Sequence, residues 1–495
     1  MYIAKMVAGL LTLPACLHAY GQERYGVYLI CFGLSVSMAS FDFGGSKSIF
    51  RYAVEYESDQ DKTKFMQALS TGITFNALSS VLIAIIILVM GVFSSSLFNL
   101  TAVTQNESFV IFSLAAVNAV ILTIGTIPIN ILNANKYFHQ RNVLQCIPLG
   151  LNLLLIVYLF IDKTFPLINF SILIVMLTLL SFLLDLLLVK RKSLIKNIPI
   201  RLVTDKSLFT SHNSGYNYRV LLISLVSFLA VQADKIIIAS FFSVASVTIY
   251  TIISKPYFLL KGILAITYPV IQPRLSNLHI QSNRNGFTEF STKIIRSSFL
   301  VFLLGICFIS IFFKQALWIW LGTAEYNTYV IWGIVSMSAL CITVLYGPFY
   351  RTLLYTDSIN NLLNFSYISV SVNLLISILL TFKIGFQGVI IGTIAQIILE
   401  YFYLNYLATK KMYVDIKLIY TKKLMLAVVT TLGISISVYL LTSNFSDSAI
   451  MQIIFALSTV IIFILILYYF VRSERISSLF TKSETETVKL NPSNL

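Results

Sequence analysis

Apolar stretches with few charges recur along this chain, each about as long as a lipid bilayer is thick. Fourteen such runs lie at approximately 1–20, 26–50, 69–93, 108–134, 142–161, 166–189, 219–242, 247–271, 293–313, 327–350, 361–382, 386–408, 423–442 and 448–471. A helix rises ~1.5 Å per residue, so a bilayer core takes about 20 apolar residues. Each run is therefore read as a membrane-spanning helix. The first begins at Met1 with almost no polar lead, and "MYIAKMVAGLLTLPACLHAYGQERYG" passes straight into the next. A cleavable signal peptide has a basic start and a small-residue cleavage site, so this segment reads as a retained helix.

Composition agrees. Hydrophobic residues make up 57% of the 495 and charged residues 11%, with a mean hydropathy of +0.86. Soluble domains carry about 25% charged residues, and a soluble protein with so few could not cover its surface. The predicted class is an all-α polytopic membrane protein of about fourteen helices.

The few charges are unevenly placed. With the N-terminus inside, 26 of the 35 Lys and Arg fall in segments on the cytoplasmic side, including Lys190, Arg191, Lys192, Lys410 and Lys411. The opposite loops hold Arg24, Lys163, Lys314 and Lys383. The positive-inside rule then puts both termini in the cytoplasm, and the net charge of +15 is mostly topology. A nucleic-acid role would need a basic soluble domain, and the longest polar stretch, 190–218, is too short for one. Cys16, Cys31, Cys146, Cys307 and Cys341 all fall inside runs, which argues against a disulfide framework. The four histidines show no ligand spacing, so no metal site is expected.

The chain also repeats itself. "KYFHQRNVLQCIPLGLNLLLIVYLF" (136–160) aligns with "DSINNLLNFSYISVSVNLLISILLTF" (357–382), bringing Asn152 onto Asn373. Upstream, Pro128 falls near Pro348, and Arg51 meets Arg274, all at an offset near 220 residues. Each half has six runs, an even number, so the repeats insert with the same orientation and their pseudo-axis runs along the membrane normal. The expected organisation is a six-helix lobe over 1–190, a basic cytoplasmic linker over 191–218, a second lobe over 219–408, an additional helix pair over 409–471 and a cytoplasmic tail over 472–495.

Two lobes facing one another enclose a cleft, and buried charge marks its lining. A charge at membrane depth costs about 2.5–3.5 kcal/mol on insertion scales and usually faces a bundle interior or a water cavity. Lys261 lies 13 residues before Arg274, ~20 Å along the helix and close to mid-depth. Lys255 shares its run, which contains no acid. Asp234 and Glu400 also sit well inside, whereas Asp185, five residues from Lys190, is expected to reach the interface. The stretch "FDFGGSKSIFRY" (41–52) brings Asp42, Gly44, Gly45, Lys47 and Arg51 together at the end of the second run. Lys47 and Arg51 are four apart on one helical face near the cytosol, where long side chains also simply snorkel to water. Gly44 and Gly45 loosen the helix, and Pro14 and Pro256 mark other expected breaks. Asp42, Asp234 and Glu400 have two readings: ion pairs that hold the bundle together, or charge balance and coupling for a cargo.

"YGQERYGVYLICFGLSVSMASFDFGGSKSIFRYAVEY" resembles the G-x-E-x-Y-G…D-x-G…R segment near the start of polysaccharide-biosynthesis membrane proteins, the O-antigen (Wzx-type) flippases of the multidrug/oligosaccharidyl-lipid/polysaccharide exporter superfamily. Gly21, Glu23, Tyr25, Gly26, Asp42, Gly44 and Arg51 fill that pattern. "ADKIIIASFFSVASVTIYTIISKPY" is similar to their seventh-to-eighth helix segment through Asp234, Lys235 and Tyr250, although Ala245 stands where a glycine is frequent. The polar residues that usually precede the first helix are also absent. The resemblance implies a flippase in the bacterial cytoplasmic (inner) membrane that carries an undecaprenyl-diphosphate-linked oligosaccharide to the outer leaflet, with polysaccharide polymerase machinery as a further partner. Lys47, Arg51, Lys235, Lys255, Lys261 and Arg274 then form the path for the anionic substrate, and Asp42, Asp234 and Glu400 balance its charge. No covalent chemistry is required, and the chain holds no phosphate-binding GxxxxGK[ST] loop. Energy would come from an ion gradient, the membrane potential or downstream consumption of the glycan, without a bound cofactor. Three alternatives stay open: a peptidoglycan-precursor flippase, a multidrug cation antiporter and a non-transporting membrane scaffold. The lysines favour an anion over a cation.

Overall fold

The apolar runs fold as helices. The computed structural model describes residues 2–39, 49, 62–101, 103–192, 194, 222, 232–281, 284–354, 359–444 and 449–473. Its long helices are α1 (Tyr2–Met38), α2 (Lys62–Val92), α3 (Gln105–Ala134), α4 (Cys146–Ile161), α5 (Leu167–Arg191), α6 (Val244–Ile280), α7 (Arg284–Leu321), α8 (Val330–Leu354), α9 (Ile359–Ile384), α10 (Gln387–Met412), α11 (Lys422–Asn444) and α12 (Ala449–Ser473). Among the described residues there is no strand. Eleven segments are long and apolar enough to cross a membrane. They account for every predicted run except 1–20, 26–50 and 219–242. The first lies in α1, the second is described in α1 and otherwise only at residues 39 and 49, and the third is described at residue 222 and from 232 onward. The protein is an all-α, multi-pass membrane protein.

The expected turn between the first two runs shrinks to a single residue. Inside α1 only Gly21 leaves the helical conformation, at φ 74° and ψ 179°. No neighbour would obstruct a Cβ there, so glycine is needed for its backbone freedom and not for space. α1 continues as helix through Pro14, and α6 through Pro256. Pro128 and Pro348, which the repeat offset pairs, both lie inside helices, α3 and α8.

The chain divides into two compact units. Unit 1 comprises Met1–Ile252 and Asn360–Gly392, and unit 2 comprises Ile253–Ile359 and Thr393–Leu495. In unit 1, Leu69 of α2, Ile127, Ile131 and Leu132 of α3, and Leu188 and Val189 of α5 form a closed apolar cluster with Ile49. In unit 2, α11 and α12 pack on α7 through Leu300, Leu304, Cys307, Leu424, Phe463 and Phe470. The turn between α10 and α11 is tied to the same helix, because the Arg296 side chain donates to the Leu418 carbonyl. The opposite faces of α11 and α12 expose Leu426, Val429, Ile436, Leu457, Ile461 and Ile464. Such a continuous apolar surface suits lipid tails.

Asp185 is 1% exposed. Arg141, on the short helix Phe138–Leu144 that precedes α4, donates through Nε to Asp185 Oδ2 at 3.2 Å. Gln145 fills the other oxygen at 3.0 Å and also bonds Ser181. Rise along α5 placed the acid at the right depth but could not show that a neighbouring helix end folds over it. Breaking a buried pair leaves an uncompensated charge, at a cost of about 3–5 kcal/mol, while apolar replacement of both partners is often neutral. Asp185→Ala should therefore lower the thermal unfolding temperature of the detergent-purified protein markedly, and Arg141→Met with Asp185→Leu should recover most of the loss. Equal destabilisation of both variants would contradict this account.

Candidate functional site

In unit 1, turns and helix ends meet at the end predicted to face outward. The Glu23 carboxylate accepts from the backbone N–H of Thr101 at 2.6 Å and from its hydroxyl. Asn99 donates its backbone N–H to the Ala239 carbonyl at 3.3 Å and its amide to Phe242 O at 3.1 Å and Ser240 O at 3.4 Å. Those carbonyls lie at the C-terminal end of the helical stretch 232–241, where helix geometry leaves the last carbonyls without intrahelical partners. Thr248 of α6 bonds the Gln22 carbonyl at 2.6 Å. Gly26 of α1 lies so close to the Val244 carbonyl that a Cβ would collide with it. Arg24 and Glu107 add an outlying ion pair at 3.6 Å. Residues from the first half of the chain thus bond directly to residues from the second.

Next to these contacts lie the charges of 232–241. Asp234 is buried, and the Tyr250 hydroxyl donates to its Oδ2 at 3.0 Å. Lys235 extends the other way, its Nζ lying where a Cβ on Gly33 of α1 would stand 2.9 Å away. Gln232 bonds the Ser37 hydroxyl. Asp234 and Lys235 therefore serve different neighbours, as a 100° step per residue requires.

In unit 2, Ile263, Ile266 and Val270 form an exposed apolar face of α6 suited to lipid. Lys261 is exposed about 140–180° away around the helix, on the side that also exposes Phe258 and Ala265. Its ammonium lies 3.4 Å from the Tyr257 hydroxyl and 5.4 Å from that ring's centroid. Lys255 is half-buried about 120° round from Lys261, in line with Ile266, so the two lysines do not share a face. Further along, the Arg274 guanidinium stacks over Phe290 at 4.6 Å. Tyr268 is 8% exposed, and its hydroxyl occupies the space a Cβ would need at Gly347 of α8. The Arg351 guanidinium stands 5.9 Å from the Tyr268 ring. Glu400 of α10 accepts from the Tyr346 hydroxyl at 2.6 Å and from Gln396 at 2.8 Å.

Asp42, Gly44, Gly45, Lys47 and Arg51 lie outside the described residues. Sequence reading missed Tyr346, Tyr268, Asn99 and Thr101. Each is a common residue type, and the contact that gives it meaning spans long sequence separations. Tyr346 carried one usable signal: it places a phenol inside a predicted span, where hydroxyls need partners.

No protein-family model matches the sequence, and no curated protein matches it. Solved structures do match. "Lipid II flippase MurJ, inward closed conformation" superimposes with a TM-score of 0.70 at 18% identity, covering 98% of this chain and 99% of that one. An inward-facing multidrug resistance MATE family transporter of the MOP superfamily gives 0.61 at 15% identity, covering 82% and 94%. An outward-facing transporter of that kind gives 0.56 at 13%, covering 83% and 94%. At such identities the likeness is one of fold, and this chain shares that fold.

The seal around Gly26 can be probed directly. Gly26→Val places branched carbon against the Val244 backbone, so α1 and α6 must separate. A cysteine at Ser37 should then react several-fold faster with a membrane-impermeant thiol reagent applied from outside, in a background lacking native cysteines. Unchanged labelling would show that this packing does not close the outer end.

Proposed function

We propose that this protein is a flippase that moves an undecaprenyl-diphosphate-linked oligosaccharide, an O-antigen or similar surface-polysaccharide unit, from the cytoplasmic to the outer leaflet by alternating access. In this reading the two six-helix repeats are the moving lobes, both termini are cytoplasmic, and the protein resides in the bacterial inner membrane. Polysaccharide polymerase machinery receives the product. The observation that carries the reading is Lys261: a lysine within a membrane span, exposed on the side of α6 opposite its lipid-suited face and held over a tyrosine. A charge in that position is costly beside lipid but useful beside water and an anion. Lysine suits a mobile diphosphate because its ammonium is a compact point charge on a flexible stem. Within unit 2 Arg274 adds positive charge, and Tyr257, Tyr268 and Tyr346 offer aromatic faces and hydroxyls for sugars, while Lys235 of unit 1 is a further residue of the proposed path. Lys47 and Arg51 supply an anion site near the cytoplasmic entrance, with Asp42 and Asp234 keeping the product from being held too tightly.

The fold supports a lipid-linked cargo over a small cation. The likeness to the lipid II flippase runs over 98% of this chain, against 82% for the inward-facing multidrug transporter. The same likeness favours a second reading, a peptidoglycan-precursor flippase, which shares the diphosphate-lipid chemistry and differs in the glycan.

Lys261→Ala should abolish flipping of lipid-linked oligosaccharide in proteoliposomes while expression and thermal stability stay near wild type. Lys261→Arg should retain part of the activity, since charge persists and geometry changes. Normal flipping by Lys261→Ala would refute the diphosphate assignment.

A further inference from the structure

We infer that the turn joining α10 to α11 is a docking site for the headgroups of anionic phospholipids, at the end of unit 2 predicted to face the cytoplasm. Residues 406–425 hold five lysines, Lys410, Lys411, Lys417, Lys422 and Lys423, and one acid, Asp415. All five lysines are exposed. The acid serves the turn itself: its Oδ1 accepts the Lys417 backbone N–H at 3.0 Å and caps the short helix Ile416–Ile419.

Lysines alone mark a cytoplasmic loop. This turn adds apolar and aromatic surface among the charges. Met412, Val414, Ile419 and Leu424 are buried and anchor it, while Tyr413, Leu418, Tyr420 and Met425 are between 43% and 58% exposed. The Arg296 guanidinium holds the Leu418 carbonyl, and the Tyr401 and Tyr420 hydroxyls bond one another. The exposed side chains are therefore carried by a tethered backbone. In water such a surface invites association. In the headgroup layer it is at home: the apolar groups meet the acyl boundary, and lysine stems run beside them to carry ammonium groups to the phosphates.

Two of the cations are positioned by rings. The Arg284 guanidinium, at the start of α7, lies 3.7 Å from the centroid of the Tyr413 ring. Lys410 donates to the Tyr406 hydroxyl at 3.2 Å and lies 5.6 Å from that ring's centroid. Tyr413 has φ 58°, in the left-handed region that bulky residues occupy at a cost and that glycine or asparagine usually fills after a helix. The chain keeps a ring there against that preference, and a guanidinium stacks on it. Stacking uses the guanidinium's face and leaves its N–H edge for a phosphate.

The occupant follows from complementarity. An anionic phospholipid brings a negative phosphate for the cations and acyl chains for Leu418 and Met425. A zwitterionic lipid carries its own cation, which the lysines repel, and a soluble anion would leave the apolar side chains in water. Basic segments beside a membrane span are drawn to the anionic lipids of the cytoplasmic leaflet in this way. Nothing here depends on the flippase reading.

The test is native mass spectrometry of the purified full chain exposed to equal amounts of phosphatidylglycerol and phosphatidylcholine. The wild-type protein should retain phosphatidylglycerol several-fold better. Replacing Lys410, Lys417 and Lys422 together by glutamine should remove most of that preference, whereas the same replacement of Lys190, Arg191 and Lys192 in unit 1 should leave most of it. Glycine takes the left-handed conformation freely, so Tyr413→Gly should hold or raise thermal stability in detergent. Its phosphatidylglycerol retention should nonetheless fall about two-fold or more, because Arg284 loses its ring. Tyr413→Phe should keep it. Glycerol phosphate, the free headgroup, should not displace the bound lipid. Equal retention of the two lipids by the wild-type protein would overturn the inference, as would equal losses in the two charge-neutralised variants or unchanged retention in a folded Tyr413→Gly. Displacement by glycerol phosphate would also overturn it, assigning the cations to a soluble anion.

Discussion

A charge inside a bilayer must either find partners or face water, and the polar architecture of this protein depends on that constraint. With 11% charged residues, several intramembrane charges among the described residues can be followed individually. Asp185 is bonded to Arg141 and Gln145 and serves as structure. Asp234 takes a phenol from Tyr250 within unit 1. Glu400 is bonded by neutral donors and is half-buried. Lys261 is exposed away from the apolar face of its helix. The first arrangement builds a bundle, and the last two suit a protein that handles charge.

The same constraint shapes the uncharged polar groups. Glu23, Asn99 and Thr248 satisfy carbonyls and amides at helix ends that would otherwise be left without partners. These bonds join early and late parts of the chain within unit 1, and hydrogen bonds of about 0.5–1.5 kcal/mol each are individually weak enough to exchange for water.

Much of the fold was legible because hydropathy and helix length are local properties. The eleven helices long and apolar enough to cross a membrane correspond one by one to predicted runs. The break at Gly21 was not foreseen in form: a loop was expected where one left-handed residue suffices. The cover over Asp185 was not legible, because depth along a helix says nothing about which neighbour bonds it. Lys255 and Lys261 looked alike by depth and differ by face, since their six-residue spacing turns them about 120° apart. Tyr346 became visible as a partner of Glu400 only when α8 and α10 were brought together, 54 residues apart in the chain.

The central claim is that these charges serve a diphosphate-linked glycan carried across the membrane. It is tested most directly by removing the protein from its host cell and measuring both surface polysaccharide and the lipid-linked oligosaccharide pool by leaflet. Loss of the surface polymer with accumulation of its undecaprenyl-linked unit in the cytoplasmic leaflet is the predicted result. Normal surface polysaccharide, with cytoplasmic accumulation of peptidoglycan precursor or of neither lipid, would contradict it.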